Sequence, residues 1–347
     1  MTIDLVVSDA QGRTVATLQA ADFSVDEQGI PQPVLSARFV RTGPAAGLAE
    51  PLRVVETAED ERREAIGPGV RLFAIFLDEF HVAPGVGADQ VRDALARFVR
   101  EALSPHDLLV VLKPLDSLLT IRLTRDRETA LRAIEGFQGR KGDYAARTTF
   151  EQKYIASTPA RVEAARGQIA SSALLALSSH LGSLGPMRKT LIVMSEGFEC
   201  GVKRRGDPLL PTLEGAVGAA NRARVSIYPI DPTGLPGVGV GVDRSVGADP
   251  VASTPCQSLR SLASETSGQA VLTTSQLGRG LQQILSDSSG YYELTLALPL
   301  PVSDGRFHAL GVRTAQAGLA VRARKGYWAS SPERERTESS GSAFPET

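Results

Sequence analysis

The alternation of apolar and polar residues changes twice along the chain. Over residues 1–41, apolar residues recur at every second position between turns at 9–12 and 27–29. This period of two predicts short antiparallel β-strands. The same pattern returns over residues 290–329, whereas residues 42–69 combine glycine, proline and dense charges and predict a linker or a solvated helix. We hypothesise that the two terminal β segments pack into one small sandwich, because each alone would expose its edge strands.

Residues 70–289 follow a different rhythm, in which apolar runs are separated by helical patterns. The runs LFAIFL, LLVVL, TLIVM and VSIYPI are apolar at odd and even positions alike. This is typical of strands in a parallel sheet that carries helices on both faces. The predicted fold class is therefore α/β, with a doubly wound, mostly parallel sheet and flanking antiparallel β segments.

Element boundaries follow from these periods and from helix start signals. Strands are predicted at 71–78, 107–114, 117–124, 189–195, 224–230 and 269–274, and helices at 88–103, 126–138, 159–183, 213–223, 256–267 and 276–288. The second and third of these strands are close enough to pair as a hairpin, which would make one edge of the sheet antiparallel. Residues 330–347 are polar and are predicted to be disordered.

Carboxylates follow three of the predicted strands. Asp78 and Glu79 end the first strand, Ser195 and Glu196 follow KTLIVM, and Asp231 follows VSIYPI. Ligands of doubly wound sheets bind outside the carboxyl ends of the strands. Converging carboxylates there suit a hard cation such as Mg²⁺. The alternative at each position is that the carboxylate only ends a strand and caps the next helix.

The order of these pieces resembles a known family. A first strand ending in aspartate, an edge hairpin, a long helix, a strand ending in SEGFE and the segment VSIYPID are similar to the von Willebrand factor type A domain. The flanking blocks DLVVSDAQGRTVATLQAADFSVDEQGIPQPV and SSGYYELTLALPLPVSDGRFHALGVRTAQAGLAVRARKGYWA resemble those of bacterial VWFA-related proteins of the acidobacterial type. The resemblance covers about residues 1–329 and implies a Rossmann-like type A domain at 70–289.

The resemblance also implies a metal-ion-dependent adhesion site, which begins with DxSxS after the first strand. Asp78, Phe80 and Val82 occupy those positions, so both hydroxyls are missing. Thr158 is the candidate for the threonine ahead of the long helix, with helix N-capping as the alternative, and Glu196 stands where the family has an aspartate. The implied site is degenerate: Asp78, Glu196 and Thr158 would bind Mg²⁺ or Mn²⁺ weakly, or would bind no metal.

Other functional patterns are weak or missing. His81, three residues after Asp78, is an alternative ligand that would favour Mn²⁺ or Zn²⁺, but the four histidines show no zinc spacing, and the sequence has no G-x-S-x-G elbow or P-loop.

With 38 basic and 39 acidic residues, no basic field favours nucleic acid. No apolar run reaches the roughly 18 residues of a membrane span. Residues 139–158 interleave basic and aromatic residues and are interpreted as a surface insertion that contributes to a partner site.

The cysteines leave the cellular compartment open. Cys200 and Cys256 are either free thiols or one disulfide, and the type A strand order would bring the strands before them next to each other. The N-terminus lacks the pattern of a signal peptide. The family resemblance and a disulfide would nevertheless indicate an exported protein, periplasmic or extracellular.

The function expected from the resemblance is protein–protein interaction or adhesion through the carboxyl edge of the sheet, and not catalysis. The sequence does not name the protein partner. A metal-dependent hydrolase stays open as an alternative, although it needs at least three good ligands and a base. A purely structural component of the cell envelope is the second alternative.

Overall fold

The computed structural model describes residues 1–43, 52–198, 212–234, 255–297, 304 and 306–329. The chain divides into two compact units, one formed by Met1–Val40 with Gly290–Thr347 and the other by Arg41–Ser289. The first unit contains antiparallel sheets and the second a parallel sheet, so the chain has a mixed α/β fold. The tail predicted to be disordered, residues 330–347, lies outside the described residues.

Strands and helices are numbered in chain order over the described residues. The strands are β1 (Thr2–Ser8), β2 (Phe23–Glu27), β3 (Ile30–Gln32), β4 (Val34–Arg41), β5 (Leu72–Leu77), β6 (Leu108–Leu112), β7 (Lys189–Met194), β8 (Val225–Ile230), β9 (Gly290–Leu296), β10 (Phe307–Thr314), β11 (Ala320–Ala323) and β12 (Gly326–Trp328). The α-helices are α1 (Ala58–Ala65), α2 (Val86–Arg97), α3 (Arg127–Glu135), α4 (Thr149–Tyr154), α5 (Pro159–Gly182), α6 (Leu213–Arg222), α7 (Pro255–Glu265) and α8 (Leu277–Ser289).

The first unit is built from both ends of the chain. One sheet has the strand order β11-β1-β9-β4 and the other has the order β12-β10-β2-β3. In each sheet, an N-terminal strand pairs antiparallel with a C-terminal strand, β1 with β9 and β2 with β10. Both sheets contribute to one hydrophobic core, whose buried members are Ile3, Leu5, Val7, Leu18, Phe23, Val25, Tyr292, Leu294, Leu296 and Leu310.

Tyr292 is the largest side chain of this core. Its ring meets Phe23 and Phe39 edge to face, with centroids 5.4 and 5.1 Å away. Its hydroxyl oxygen accepts a hydrogen bond of 2.9 Å from the backbone N–H of Leu18. Burial raises the pKa of the Tyr292 phenol, which therefore stays neutral. One residue thus fills the apolar core and satisfies a buried backbone donor.

The second unit is organised around a parallel sheet with the order β6-β5-β7-β8. Alternate residues of β5 enter two different cores. Leu72, Ala74 and Phe76 pack with residues of α5, α6 and α7, while Phe73, Ile75 and Leu77 pack with residues of α2, α3 and α8. Helices therefore cover both faces of the sheet, which is why its strands are apolar at both parities. Within the described ranges, no helix is both long and apolar enough to span a membrane.

Two of the predicted strands are wrong. Within 117–124, Leu118–Thr120 forms a 3₁₀ turn, and a single bridge between Leu109 and Thr124 is all that remains of the predicted hairpin. A half-buried strand needs apolar residues at alternate positions, but Leu118 and Leu119 are adjacent and both exposed, Leu119 to 98%. The predicted strand 269–274 is likewise reduced to one parallel bridge, between Val271 and Ile230.

The charged stretch within 42–69 contains α1, which belongs to the second unit and packs within it. Thr57 caps this helix, accepting a hydrogen bond from the Asp60 N–H. Glu61 is buried; it accepts a hydrogen bond of 2.7 Å from the Leu123 N–H and lies 2.8 Å from His180 Nε2. This stretch is thus held by a buried carboxylate and is not a fully solvated helix.

Replacing Tyr292 with phenylalanine tests the core of the first unit. Tyr292→Phe keeps the ring but removes the acceptor of the Leu18 N–H, so the free energy of unfolding should fall by about 1–3 kcal/mol. Circular dichroism during urea titration measures this loss as a shift of the unfolding midpoint. The matched control is Leu35→Ala at an exposed position, expected to change stability by less than about 0.5 kcal/mol. Equal midpoints for Tyr292→Phe and the parent chain would contradict the role given to the hydroxyl.

Candidate functional site

Two carboxylates lie side by side at the carboxyl edge of the parallel sheet. β5 and β7 pair in register, with Leu77 opposite Met194, so the residues that follow these strands are neighbours. Asp78 is fully buried and Glu196 nearly so. The Ser195 hydroxyl donates to Asp78 Oδ2 at 2.8 Å and accepts from the Gly197 N–H at 3.2 Å.

The carboxylate of Asp78 is bound by protein groups on both oxygens. His81 Nδ1 lies 2.9 Å from Oδ1 and 2.8 Å from Oδ2, and the His81 backbone N–H donates to Oδ1 at 3.3 Å. Burial alone would lower the pKa of His81, but the charge of Asp78 and its hydrogen bond outweigh burial, and the pKa is raised. The contact with Asp78 therefore shifts His81 towards its protonated form relative to a free imidazole.

Glu196 is also bound on both oxygens. Lys141 Nζ donates to Oε2 at 2.6 Å, and the Ala83 backbone N–H donates to Oε1 at 2.6 Å. The Glu196 backbone N–H donates to the His81 carbonyl at 3.2 Å. These bonds join the end of β7 to the loop after β5 and to residues 139–158, a segment far away in sequence.

The third candidate ligand, Thr158, is placed differently. It is exposed at the N-cap of α5, where its backbone carbonyl accepts from the N–H groups of Arg161 and Val162. Its hydroxyl forms no capping hydrogen bond. The structure thus brings together Asp78 and Glu196, while Thr158 opens the long helix. Asp231, after β8, accepts from both the backbone and the hydroxyl of Thr233.

Buried apolar side chains occupy the positions where the adhesion pattern has hydroxyls. Phe80 and Val82 are both fully buried. The ring of Phe80 is flanked by the guanidinium carbons of Arg140, at 5.7 Å, and Arg166, at 4.8 Å. These cation–π contacts lie beside the site and supply no oxygen ligand to it.

Residues 139–158 are anchored beside the site by their inner side. The N–H of Arg140 donates to the Glu79 carbonyl at 2.6 Å, and the N–H of Lys141 donates to the Val82 carbonyl at 3.0 Å. Gly139 permits this approach, because a Cβ there would lie 2.3 Å from the Val82 carbonyl oxygen. The sequence interpretation of this segment as a surface insertion missed its buried face and the contact of Lys141 with Glu196.

A buried ion pair holds the segment together. Arg140 Nη1 donates to Glu151 Oε1 at 2.6 Å, and both side chains are almost fully buried. Glu151 also accepts from the backbone N–H groups of Arg147 and Thr148. Burial alone would raise the pKa of Glu151, but the hydrogen bonds and charge of Arg140 and the bond from Arg147 lower it overall. Burial raises the pKa of the neighbouring Glu79 despite the charge of Arg140.

The outer side of the segment exposes aromatic rings. Phe150 and Tyr154, one turn apart on α4, are exposed to 51% and 65%, with centroids 5.0 Å apart. Lys153 Nζ lies 5.2 Å from the centre of the Tyr154 ring. Tyr144 is partly exposed, with the Arg166 guanidinium 5.5 Å from its ring. The segment therefore has a polar, buried inner side and an aromatic, exposed outer side.

The predicted disulfide and the predicted metal site both stay predictions. Cys200 lies outside the described residues, and Cys256 lies in α7 but its side chain is not described, so the disulfide stays a prediction. Across the described part of the chain, no group of three or more His, Cys, Asp or Glu side chains is placed to hold a metal ion. Metal binding by Asp78, Glu196 and Thr158 likewise stays a prediction.

Comparisons with known proteins do not assign the chain to a family. No protein-family model matches the sequence, and no curated protein matches it. Among solved structures, a mutant of the PilB minor pilin from Streptococcus sanguinis matches with a TM-score of 0.35 and 9% identity, over 63% of this chain and 62% of that chain. An uncharacterized membrane-spanning protein from Vibrio fischeri matches with a TM-score of 0.19 and 15% identity, over 62% of this chain and 97% of that chain. The alignment thus spans less than two thirds of the pilin chain, and neither likeness carries an argument about this protein.

Replacing Glu151 with glutamine tests the anchor of the segment. Glu151→Gln leaves the Arg140 charge buried without its partner, so the free energy of unfolding at neutral pH should fall by about 3 kcal/mol. Because the folded-state pKa of Glu151 is lowered, the ion pair stabilises the protein above the ordinary glutamate pKa of 4.5. That stability is lost as the pH falls through the folded-state value.

Urea denaturation followed by circular dichroism at about pH 7 and about pH 3.5 measures this difference. The gap between the parent chain and Glu151→Gln should be smaller at the lower pH. The matched control is Asp143→Asn, which removes the exposed pair of Asp143 with Arg147 in the same segment and should leave the midpoint nearly unchanged. A gap that does not depend on pH would show that the charge of Glu151 is not what stabilises the segment.

Proposed function

We propose that this protein is a protein-interaction or adhesion module. Its binding face comprises the carboxyl edge of the parallel sheet and the outer side of residues 139–158. We further propose that the second unit is a doubly wound, Rossmann-like domain of the von Willebrand factor type A kind. The order of its sequence blocks and the helices on both faces of the sheet support this proposal.

The observation that carries the proposal is the two-sided character of residues 139–158. The inner side is fixed by the buried pair of Arg140 with Glu151, while Phe150 and Tyr154 are exposed beside each other. Aromatic side chains held on a rigid support are typical anchors of protein interfaces. A partner surface would account for two adjacent aromatic rings that are more than half exposed in the described structure.

The cation beside the rings favours an acidic partner. Lys153 is exposed against the Tyr154 ring, while Lys141 and Arg147 of the same segment are paired with Glu196 and Asp143. A protein segment with carboxylates around an apolar or aromatic anchor would complement this surface in both charge and hydrophobicity. Such complementarity speeds encounter and selects the partner.

The geometry favours binding over a hydrolase. Ser195 and Asp78 are fully buried, and the two carboxylates at the sheet edge are each bound by protein groups on both oxygens. A hydrolase needs a base and ligand positions that substrate or water can reach. A purely structural envelope component is separated from an interaction module by the following experiment.

The double variant Phe150→Ser/Tyr154→Ser tests the binding face. Candidate partners are captured from the source organism with the parent chain, purified, and titrated by calorimetry against each variant. At least one partner should bind the double variant at least about tenfold more weakly, because exposed aromatic anchors each contribute on the order of 1–2 kcal/mol.

The matched control is Ile30→Ser/Leu35→Ser, which removes two exposed apolar side chains from the first unit. It should leave the affinity of that partner unchanged. If every captured protein binds the double variant as tightly as the parent chain, the outer side of residues 139–158 is not a binding face, and the structural alternative is favoured.

A further inference from the structure

The site formed by Asp78 and Glu196 at the carboxyl edge of the parallel sheet contains a cationic side chain, that of Lys141. We propose that Lys141 is a built-in substitute for a divalent metal: its ammonium group takes the position on Glu196 that a metal would take, and it excludes metal from the site. The adhesion-site pattern implied by the sequence resemblance therefore does not fit the residues present. Recognition at this edge of the sheet would then be independent of Mg²⁺ and Mn²⁺.

The first argument concerns the oxygen atoms. A hard divalent cation needs several oxygen ligands with free lone pairs directed at one point. Both oxygens of Glu196 already accept short hydrogen bonds, from Lys141 Nζ and the Ala83 N–H, each of 2.6 Å. Both oxygens of Asp78 are engaged as well, by His81 and Ser195. A metal would have to share these oxygens with the donors that already bind them, because each hydrogen bond occupies one lone pair of its oxygen.

The second argument concerns the two hydroxyls that the pattern requires. Phe80 and Val82 stand in their positions and are fully buried, so the side chains there provide no ligand. The Ser195 hydroxyl lies at the site, but it donates to Asp78 while accepting from the Gly197 N–H. Without these hydroxyls, a cation at the site would depend chiefly on carboxylates that the protein has already paired.

The third argument concerns the placement of Lys141. Its backbone N–H donates to the Val82 carbonyl at 3.0 Å. Gly139, two residues earlier, allows the two segments to approach this closely. The preceding residue, Arg140, is held by the buried pair with Glu151. The backbone of Lys141 is therefore positioned by the fold, within reach of Glu196 for its ammonium, and this contact does not depend on a bound ion. A divalent cation on Glu196 would also be repelled by this ammonium at short range.

The position of Lys141 makes the proposal testable. Its side chain is 46% exposed, so replacement should leave the protein folded. Lys141→Met removes the charge and keeps an apolar stem of similar length, which frees Glu196 Oε2. Lys141→Arg keeps a cation and is the matched control. The double variant Lys141→Met/Glu196→Gln removes the freed carboxylate as well.

The experiment is a titration of each purified chain with Mn²⁺, followed by the electron paramagnetic resonance signal of the free ion. Circular dichroism confirms that each variant is folded. With the parent chain and with Lys141→Arg, the signal of free Mn²⁺ should not fall, because neither chain binds the ion at Glu196. Lys141→Met should bind Mn²⁺ at least about tenfold more tightly than the parent chain, because Glu196 Oε2 is freed and the repelling charge is gone. Lys141→Met/Glu196→Gln should lose that binding.

Each outcome decides the proposal. Mn²⁺ binding by the parent chain that Glu196→Gln abolishes would overturn it, because the site would then hold metal with Lys141 in place. An absence of binding by Lys141→Met would overturn it too, because Lys141 would not be the group that excludes metal. The titration needs no partner protein. Its result is therefore independent of whether the carboxyl edge of the sheet is part of the binding face proposed above.

Discussion

Asp78 and Glu196 are withdrawn from water at the ends of adjacent strands, and the rest of the site is arranged around that constraint. A buried carboxylate without partners would cost several kcal/mol. The chain supplies the partners from three places: Ser195 at the end of β7, His81 in the loop after β5, and Lys141 from a segment about 55 residues away from Glu196 in sequence. The same contacts that neutralise the carboxylates also fix the loops at the edge of the sheet.

The segment 139–158 links this constraint to the binding face proposed above. Its inner side must carry charged groups that pair next to the site, so Arg140 and Glu151 are buried together. Once its backbone is held there, its outer side is free to present Phe150 and Tyr154 to water. A rigid support lowers the conformational entropy that exposed side chains lose when they bind a partner. The same short segment thus carries a buried ion pair on its inner side and exposed aromatic rings on its outer side.

The first unit depends on a different constraint. Thr2 of β1 lies opposite Thr295 of β9, so its central pairing joins residues at nearly opposite ends of the described chain. Bringing β1 and β9 together closes a loop of most of the chain, which costs conformational entropy before the contacts between the strands form. The core around Tyr292 offsets that cost by burying apolar side chains from both sheets.

Local periodicity in the sequence determined the parallel strands of the second unit, its long helices and the antiparallel character of both termini, because the spacing of apolar residues reflects which faces are buried. It failed over 117–124, where Leu118–Thr120 forms a 3₁₀ turn and the adjacent Leu118 and Leu119 are both exposed. The strand-end position of Asp78 and Glu196 was also readable, since it follows from where each strand ends. The partner of Glu196 was not: Lys141 looked like one basic residue among several, and only the tertiary structure decided that it meets a buried carboxylate, because that contact depends on how two distant segments pack.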